Sequence, residues 1–138
     1  MQDDKVFFKI VIPNYNNMAY IKKCLDSILD QTFQDFKIVI VDDLSTDLSD
    51  KFCEMYAEKY PEKIIYHQLD KKGYAGAARN WAIDYNLNSQ YTLFVDSDDW
   101  LYNKYSLENV FIATKKYNFP DLVLCSYSRF ENNKYINC

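Results

Sequence analysis

Glycine is nearly missing from this sequence. It occurs twice in 138 residues, at Gly73 and Gly76, where an average usage of ~7% would give nearer ten. Arginine is as scarce, at Arg79 and Arg129 only, and His67 is the single histidine. A lone histidine inside an apolar run offers no Ser–His–Asp or Cys–His set, and packing is its expected role. The four cysteines, Cys24, Cys53, Cys125 and Cys138, lie far apart with no CxxC pair. That spacing excludes a zinc ribbon and a dense disulfide framework. Reduced thiols of a cytosolic protein are the simpler expectation. No apolar run approaches the ~20 residues of a membrane span, and Met1 to Lys9 lacks a signal-peptide layout, so a soluble, cytoplasmic chain is expected. A basic stripe is also absent. The formal net charge is -4, which argues against a nucleic-acid polymer as partner.

What is present is an ordinary globular balance, 49% hydrophobic and 26% charged, in a length suited to one domain. Five apolar runs rich in Ile, Val, Phe and Tyr stand out: Phe7 to Ile12, Phe36 to Val41, Ile64 to Leu69, Tyr91 to Val95 and Leu122 to Ser126. They are mostly continuous rather than alternating, the pattern of strands buried on both faces of a mainly parallel sheet. Helical spacing separates them. Ile21, Leu25, Ile28 and Leu29 form one apolar stripe, and Phe52, Met55, Tyr56 and Tyr60 another that Pro61 closes. Ala75 to Tyr85 is alanine-rich, and Ser106 is placed to cap a fourth helix with Leu107, Val110, Phe111 and Thr114 inward. Alternating strand and helix predict a three-layer α/β domain with right-handed crossovers.

Ligands of such sheets sit outside the carboxyl ends of the strands. The residues there are polar and mainly acidic: Pro13-Asn14-Tyr15-Asn16-Asn17, Asp42-Asp43-Leu44-Ser45, Asp70 with the glycine loop, and Asp96-Ser97-Asp98-Asp99. Three carboxylates within four residues repel one another unless a cation or a helix N-terminus offsets them. Hard oxygen ligands suit Mg²⁺ or Mn²⁺, while the plainer alternative is a solvated turn in which Asp99 caps a short helix. Asp42 and Asp43 divide similarly between turn capping and accepting a base N–H or a ribose hydroxyl. Tyr15 is either a core-edge aromatic or a stacking platform worth ~1–3 kcal/mol. Gly73 and Gly76 precede a helix whose N-terminus favours phosphate. Arg79 on that helix offers bidentate geometry to an anion, or a salt bridge to one of the clustered aspartates.

Taken in order, Val11-Ile12-Pro13-Asn14-Tyr15-Asn16, Gln31-Thr32-Phe33-Gln34-Asp35-Phe36, Ile40-Val41-Asp42-Asp43-Leu44-Ser45, Gly73 to Asn80, and Phe94-Val95-Asp96-Ser97-Asp98-Asp99 resemble the family 2 glycosyltransferases. The resemblance spans roughly residues 7 to 103. It implies the GT-A fold, with a Rossmann-like nucleotide-binding sheet, and inverting transfer from a nucleoside-diphosphate sugar, most commonly a UDP-sugar, to a hydroxyl of a glycan or glycolipid acceptor. It further implies that Pro13, Tyr15, Asp42, Asp43, Gly73, Arg79, Asp96 and Ser97 surround the donor. Tyr15 would stack on the base, and Asp43 would meet its N–H edge. Asp98 would hold Mn²⁺ or Mg²⁺ against the diphosphate, and Asp96 would face the ribose or help hold the metal. Members of the family carry a catalytic base well beyond the DxD, and Glu108, Asp121 and Glu131 have no context resembling it. The expectation is therefore a single donor-binding domain of a longer enzyme, with the base and acceptor half beyond Cys138 and any peripheral contact with the inner membrane face made there. Two rivals have sequence features of their own to meet. A receiver-like phosphoacceptor domain would need an acidic pair after the first strand, where Pro13-Asn14-Tyr15 stands. A non-catalytic nucleotide-binding module would differ only in lacking the base.

Overall fold

In the computed structural model of the protein, residues 5–138 are described; residues 1–4, part of the stretch without a signal-peptide layout, lie outside them. The chain alternates β1 (Val6–Asn14), α1 (Ile21–Leu29), β2 (Phe36–Asp42), α2 (Ser49–Lys59), β3 (Ile64–Gln68), α3 (Tyr74–Asp84), β4 (Ser89–Phe94) and α4 (Ser106–Lys116). A hairpin of β5 (Ser128–Glu131) and β6 (Lys134–Asn137) follows. The main sheet is wholly parallel, in the order β3-β2-β1-β4.

Side-chain alternation along β1 and β2 divides the core into two layers. Phe8, Ile10, Ile12, Ile38 and Ile40 point to one face, where they meet Ile21, Cys24, Leu25 and Ile28 of α1, Cys53 and Tyr56 of α2, and Leu107 of α4. Val11, Val39 and Val41 point to the other and meet Ala78 and Ala82 of α3. The expected three layers are present, with α3 alone on its side. Small alanines there let the helix approach the valines closely. Lys9 is drawn onto the same side, where its ammonium donates to the carbonyls of Ile83 and Tyr85 at the end of α3 (3.2 and 3.0 Å).

Three expectations fail. The run Leu122 to Ser126 forms no strand. It pairs with nothing in the sheet, and Leu122 and Leu124 are 72% and 86% exposed. Apolar composition alone does not make a strand; a strand also needs a ladder partner, and Pro120 just upstream has no N–H to start one. The second failure concerns β4, read as continuous and buried. It alternates, with Thr92 and Phe94 exposed, because it is an edge strand and α3 lies over β1 and β2. Ser106 is the first residue of α4 rather than its cap. Its hydroxyl donates to the Asn103 carbonyl, and the first-turn N–H of Leu107 donates instead to buried Gln31 Oε1 at 3.0 Å. The Gln31 amide also donates to the carbonyls of Ser27 and Asn103. Gln31 is thus a clip between α1 and α4. No helix among the described residues is long and apolar enough to cross a membrane.

Candidate functional site

The carboxyl ends of β1, β2 and β4 and the first turns of α3 enclose a pocket of about 170 Å³. Pro13 comes from the end of β1 and Tyr15 from just beyond it, Asp43 follows β2, Arg79 lies on α3, and Asp96, Ser97 and Asp98 form the turn after β4. A wider, shallow groove of about 990 Å³ runs outside α1 between Lys22, Lys63, Tyr60 and Trp100. It holds none of the strand-end carboxylates, and its size alone gives it no chemistry.

Adjacent aspartates on one strand end point opposite ways, and this separates Asp42 from Asp43. Asp42 is fully buried. Its carboxylate accepts from Asn14 Nδ2 (2.8 Å), Ser45 N–H (2.9 Å), Ser45 Oγ (2.6 Å) and Gln68 Nε2 (3.1 Å). Those four donors fill a carboxylate's capacity of about four lone-pair sites, so Asp42, expected among the donor ligands, stands inside the fold and outside the pocket. Asp43 faces the pocket with its side chain 3% exposed. It accepts the N–H groups of Gly73 (2.8 Å) and Tyr74 (2.9 Å) at the start of α3, and pairs with Lys72 at 3.1 Å. Burial alone would raise its pKa, but the Gly73 N–H, the Lys72 ammonium and the Tyr74 N–H outweigh it and hold Asp43 below the ordinary carboxylate range.

Neither glycine has a positive φ. Gly73 is required because a Cβ there would stand 2.5 Å from Ala77 Cβ, whereas a Cβ on Gly76 would meet nothing within 4 Å. The left-handed positions around the site are taken by Asn16 (φ 50°), Leu44 (φ 60°), Leu48 (φ 72°) and Tyr74 (φ 60°). For non-glycine residues such backbone costs roughly 1–2 kcal/mol each. Strained loops held by a packed framework concentrate at functional sites.

After β4 the chain turns, with the Asp99 N–H donating to the Asp96 carbonyl at 2.9 Å. Asp96, Asp98 and Asp99 each place a carboxylate oxygen within 4.8 Å of the others. Burial, then Asp98 and Asp96, raises the pKa of Asp99. The Cys24 thiol lies beneath the turn and donates to the Asp96 carbonyl at 3.6 Å. Burial, with Asp99, Asp98 and Asp96 next, pushes it up to about 12, so it is a neutral donor and no thiolate ligand. Arg79 donates to Asp96 at 2.6 Å, with the side chains 35% and 52% exposed. The salt bridge weighed from the sequence is therefore formed, at the rim of the pocket. His67 stacks on Trp81 at 3.9 Å, with the planes 4° apart, a packing role as expected.

Three residues of the site are absent from the sequence-based set. Asn17 Nδ2 donates to Ser97 Oγ at 2.6 Å and ties β1's tip to the acidic turn. Asn14 lines the pocket, and its Oδ1 is buried without a hydrogen-bond partner. Lys72 sits over the ring of Tyr15, its Nζ 2.7 Å from the ring centroid. The two asparagines had a signal, since both lie in the polar tip after the first strand. Lys72 had none beyond its place before Gly73.

The fold and site together define a parallel α/β domain of the GT-A type, with its polar residues gathered at one edge of the sheet. Residues 9–137 match the sequence profile described as Glycosyl transferase family 2, and the chain belongs to that family. It is 36% identical over 132 residues to Glycosyltransferase GlyA of Streptococcus pneumoniae, across 96% of this chain and 18% of that protein. The crystal structure of S. aureus TarS 1-349 in complex with UDP-GlcNAc superposes with a TM-score of 0.71 at 32% identity, covering 81% of this chain and 32% of that one. Mannosyltransferase PcManGT from Pyrobaculum calidifontis, in complex with GDP-Man and Mn2+, shares the fold at a TM-score of 0.70 and 22% identity, over 78% and 32% of the two chains. The chain thus spans less than a fifth of GlyA and about a third of each of the two solved chains.

Proposed function

We propose that this chain carries the donor site of a metal-dependent, inverting glycosyltransferase that takes a UDP-sugar and serves cell-surface glycan assembly. The observation that carries this is the meeting of Tyr15, Asp43, Arg79, Asp96, Ser97 and Asp98 around one pocket at the strand ends. Tyr15, 47% exposed, offers a face to a nucleobase. Asp43 has three donors in place and about one acceptor site left for a base N–H. Arg79 can give its guanidinium to an incoming diphosphate in place of exposed Asp96. Asp98, Asp96 and Asp99 form an oxygen-only set that fits Mg²⁺ or Mn²⁺. A divalent cation held there would offset the charge of a diphosphate that the same carboxylates would otherwise repel. The likeness to TarS, whose complex contains UDP-GlcNAc, supports uracil as the base. The reading places the acceptor hydroxyl, the base that deprotonates it and any membrane contact in the length of the relatives this chain does not span. It assigns the domain to the cytoplasm, at the inner face of the membrane.

Calorimetric titration with UDP and GDP in Mn²⁺, and again with chelator, tests the donor site. Binding of UDP that chelator weakens tenfold or more is expected, with a similar loss in Asp98→Ala. No binding of either nucleotide in Mn²⁺ would sink the donor site, and undiminished binding by Asp98→Ala would remove the metal assignment.

A further inference from the structure

Lys72 belongs to no motif in the sequence, yet its ammonium fills the space over Tyr15. Nζ lies 2.7 Å from the centroid of that ring and 5.7 Å from the centroid of Tyr74. It also stands 3.1 Å from Asp43 Oδ2 and donates to the Asp43 carbonyl at 3.1 Å. A nucleobase stacked on this face of Tyr15 would bring its own atoms to about 3.5–4 Å from the ring, into the volume the ammonium occupies. Base and ammonium cannot share the face.

The lysine is held only by these few contacts. Its side chain is 34% exposed, and a flexible four-carbon stem lets the charge leave without backbone movement. Its presence in the free protein has a clear cause. Asp43 is a buried carboxylate, and a counter-charge beside it lowers the cost of keeping it ionised.

We propose that Lys72 is a displaceable cap on the nucleobase platform, and that it makes the site select nucleoside diphosphates over uncharged nucleosides. The proposal rests on the reading that Tyr15 carries the base. An uncharged nucleoside must lift the ammonium from Tyr15 and Asp43 and offers no charge in return. A nucleoside diphosphate brings an anion with which the freed ammonium can pair. Arg79 can also pair with the diphosphate, but it is Lys72 that stands over Tyr15 and opposes the uncharged nucleoside.

Uridine and UDP, the latter with Mn²⁺, would be titrated into the wild-type chain, Lys72→Met and Lys72→Gln, with thermal unfolding as the check on folding. Loss of the cation–π contact should tighten uridine binding about three- to tenfold in both variants. UDP should gain nothing, so its preference over uridine shrinks. In the wild-type protein, the Lys72 methylene signals nearest the ammonium should be shifted upfield by the Tyr15 ring. They should move back on adding either ligand, a readout that decides the matter even if both variants unfold. Uridine binding unchanged or weakened in the variants, or a UDP gain equal to that of uridine, overturns the cap. So do lysine signals that ignore the ligand. Where the wild type still binds UDP, these results leave the donor site standing; where it binds no UDP, the donor site and the cap fall together.

Discussion

Replacing Asp43 with asparagine keeps the shape of the side chain and removes its charge, at a position 3% exposed. Two backbone N–H groups, of Gly73 and Tyr74, converge on the two carboxylate oxygens at 2.8 and 2.9 Å. An amide has only one oxygen, so one of those donors must face an NH₂ group. A buried donor left without a partner costs about 1–3 kcal/mol. Losing a negative charge from a helix N-terminus adds about 0.3–1 kcal/mol. The pairing with Lys72, which is a third exposed, contributes at most ~1 kcal/mol and is lost in the same step. The sum is roughly 1–5 kcal/mol, a large part of the 5–15 kcal/mol typical of a domain. Urea unfolding followed by circular dichroism should show a lower midpoint at unchanged slope. The pH dependence has a definite sign. Asp43 is depressed in the folded chain, so its contribution is complete above the unfolded carboxylate value of about 3.9 and is lost as pH falls through the lower folded value. Wild type and variant should therefore differ fully at pH 6 and converge in acid below pH 4. A difference under 0.5 kcal/mol at pH 6, or one that persists unchanged into acid, would refute the assignment of Asp43 as the anchor of α3.

The two glycines should respond in opposite directions. Gly73→Ala meets Ala77 Cβ and should lose about 1–3 kcal/mol by overpacking, whereas Gly76→Ala, with open space inside a helix, should gain about 0.5–1 kcal/mol in denaturant midpoints. Leu48→Gly relieves an exposed residue at φ 72° and should be neutral or stabilising by up to ~1 kcal/mol; a clear loss would mean that the leucine side chain holds the α2 entry.

Most of the sheet was legible because β1 and β2 are buried on both faces, which leaves a continuous apolar run in the sequence. The helices were legible because each has one buried stripe, as with Ile21, Leu25 and Ile28. Edge features were not. Leu122 to Ser126 has the composition of a strand without a partner, and β4 loses one covered face only because α3 lies elsewhere. Within the site, the strand-end rule brought Tyr15, Asp43, Asp96 and Asp98 to one place. It could not say which of two neighbouring aspartates turns inward, a matter of pleat and register: Asp42 pairs with Asn14 across β1 and β2. Lys72 was invisible because a lysine in a loop has no pattern, and its place over Tyr15 is a product of tertiary structure alone.

The order β3-β2-β1-β4 also has a consequence in time. β1 leaves the ribosome before both of its neighbours and lies between β2 and β4, with Val11 opposite Phe94 and Val6 opposite Ser89. At synthesis rates of about 5–20 residues per second, the partner on that side arrives roughly 4 to 17 seconds later. Until then this strongly apolar strand has an unpaired backbone edge, the kind of surface from which nascent chains aggregate. The same arrangement that gathers the acidic strand tips at one edge thus leaves the nascent protein dependent on rapid completion of β4, or on a chaperone that shields β1 in the interval.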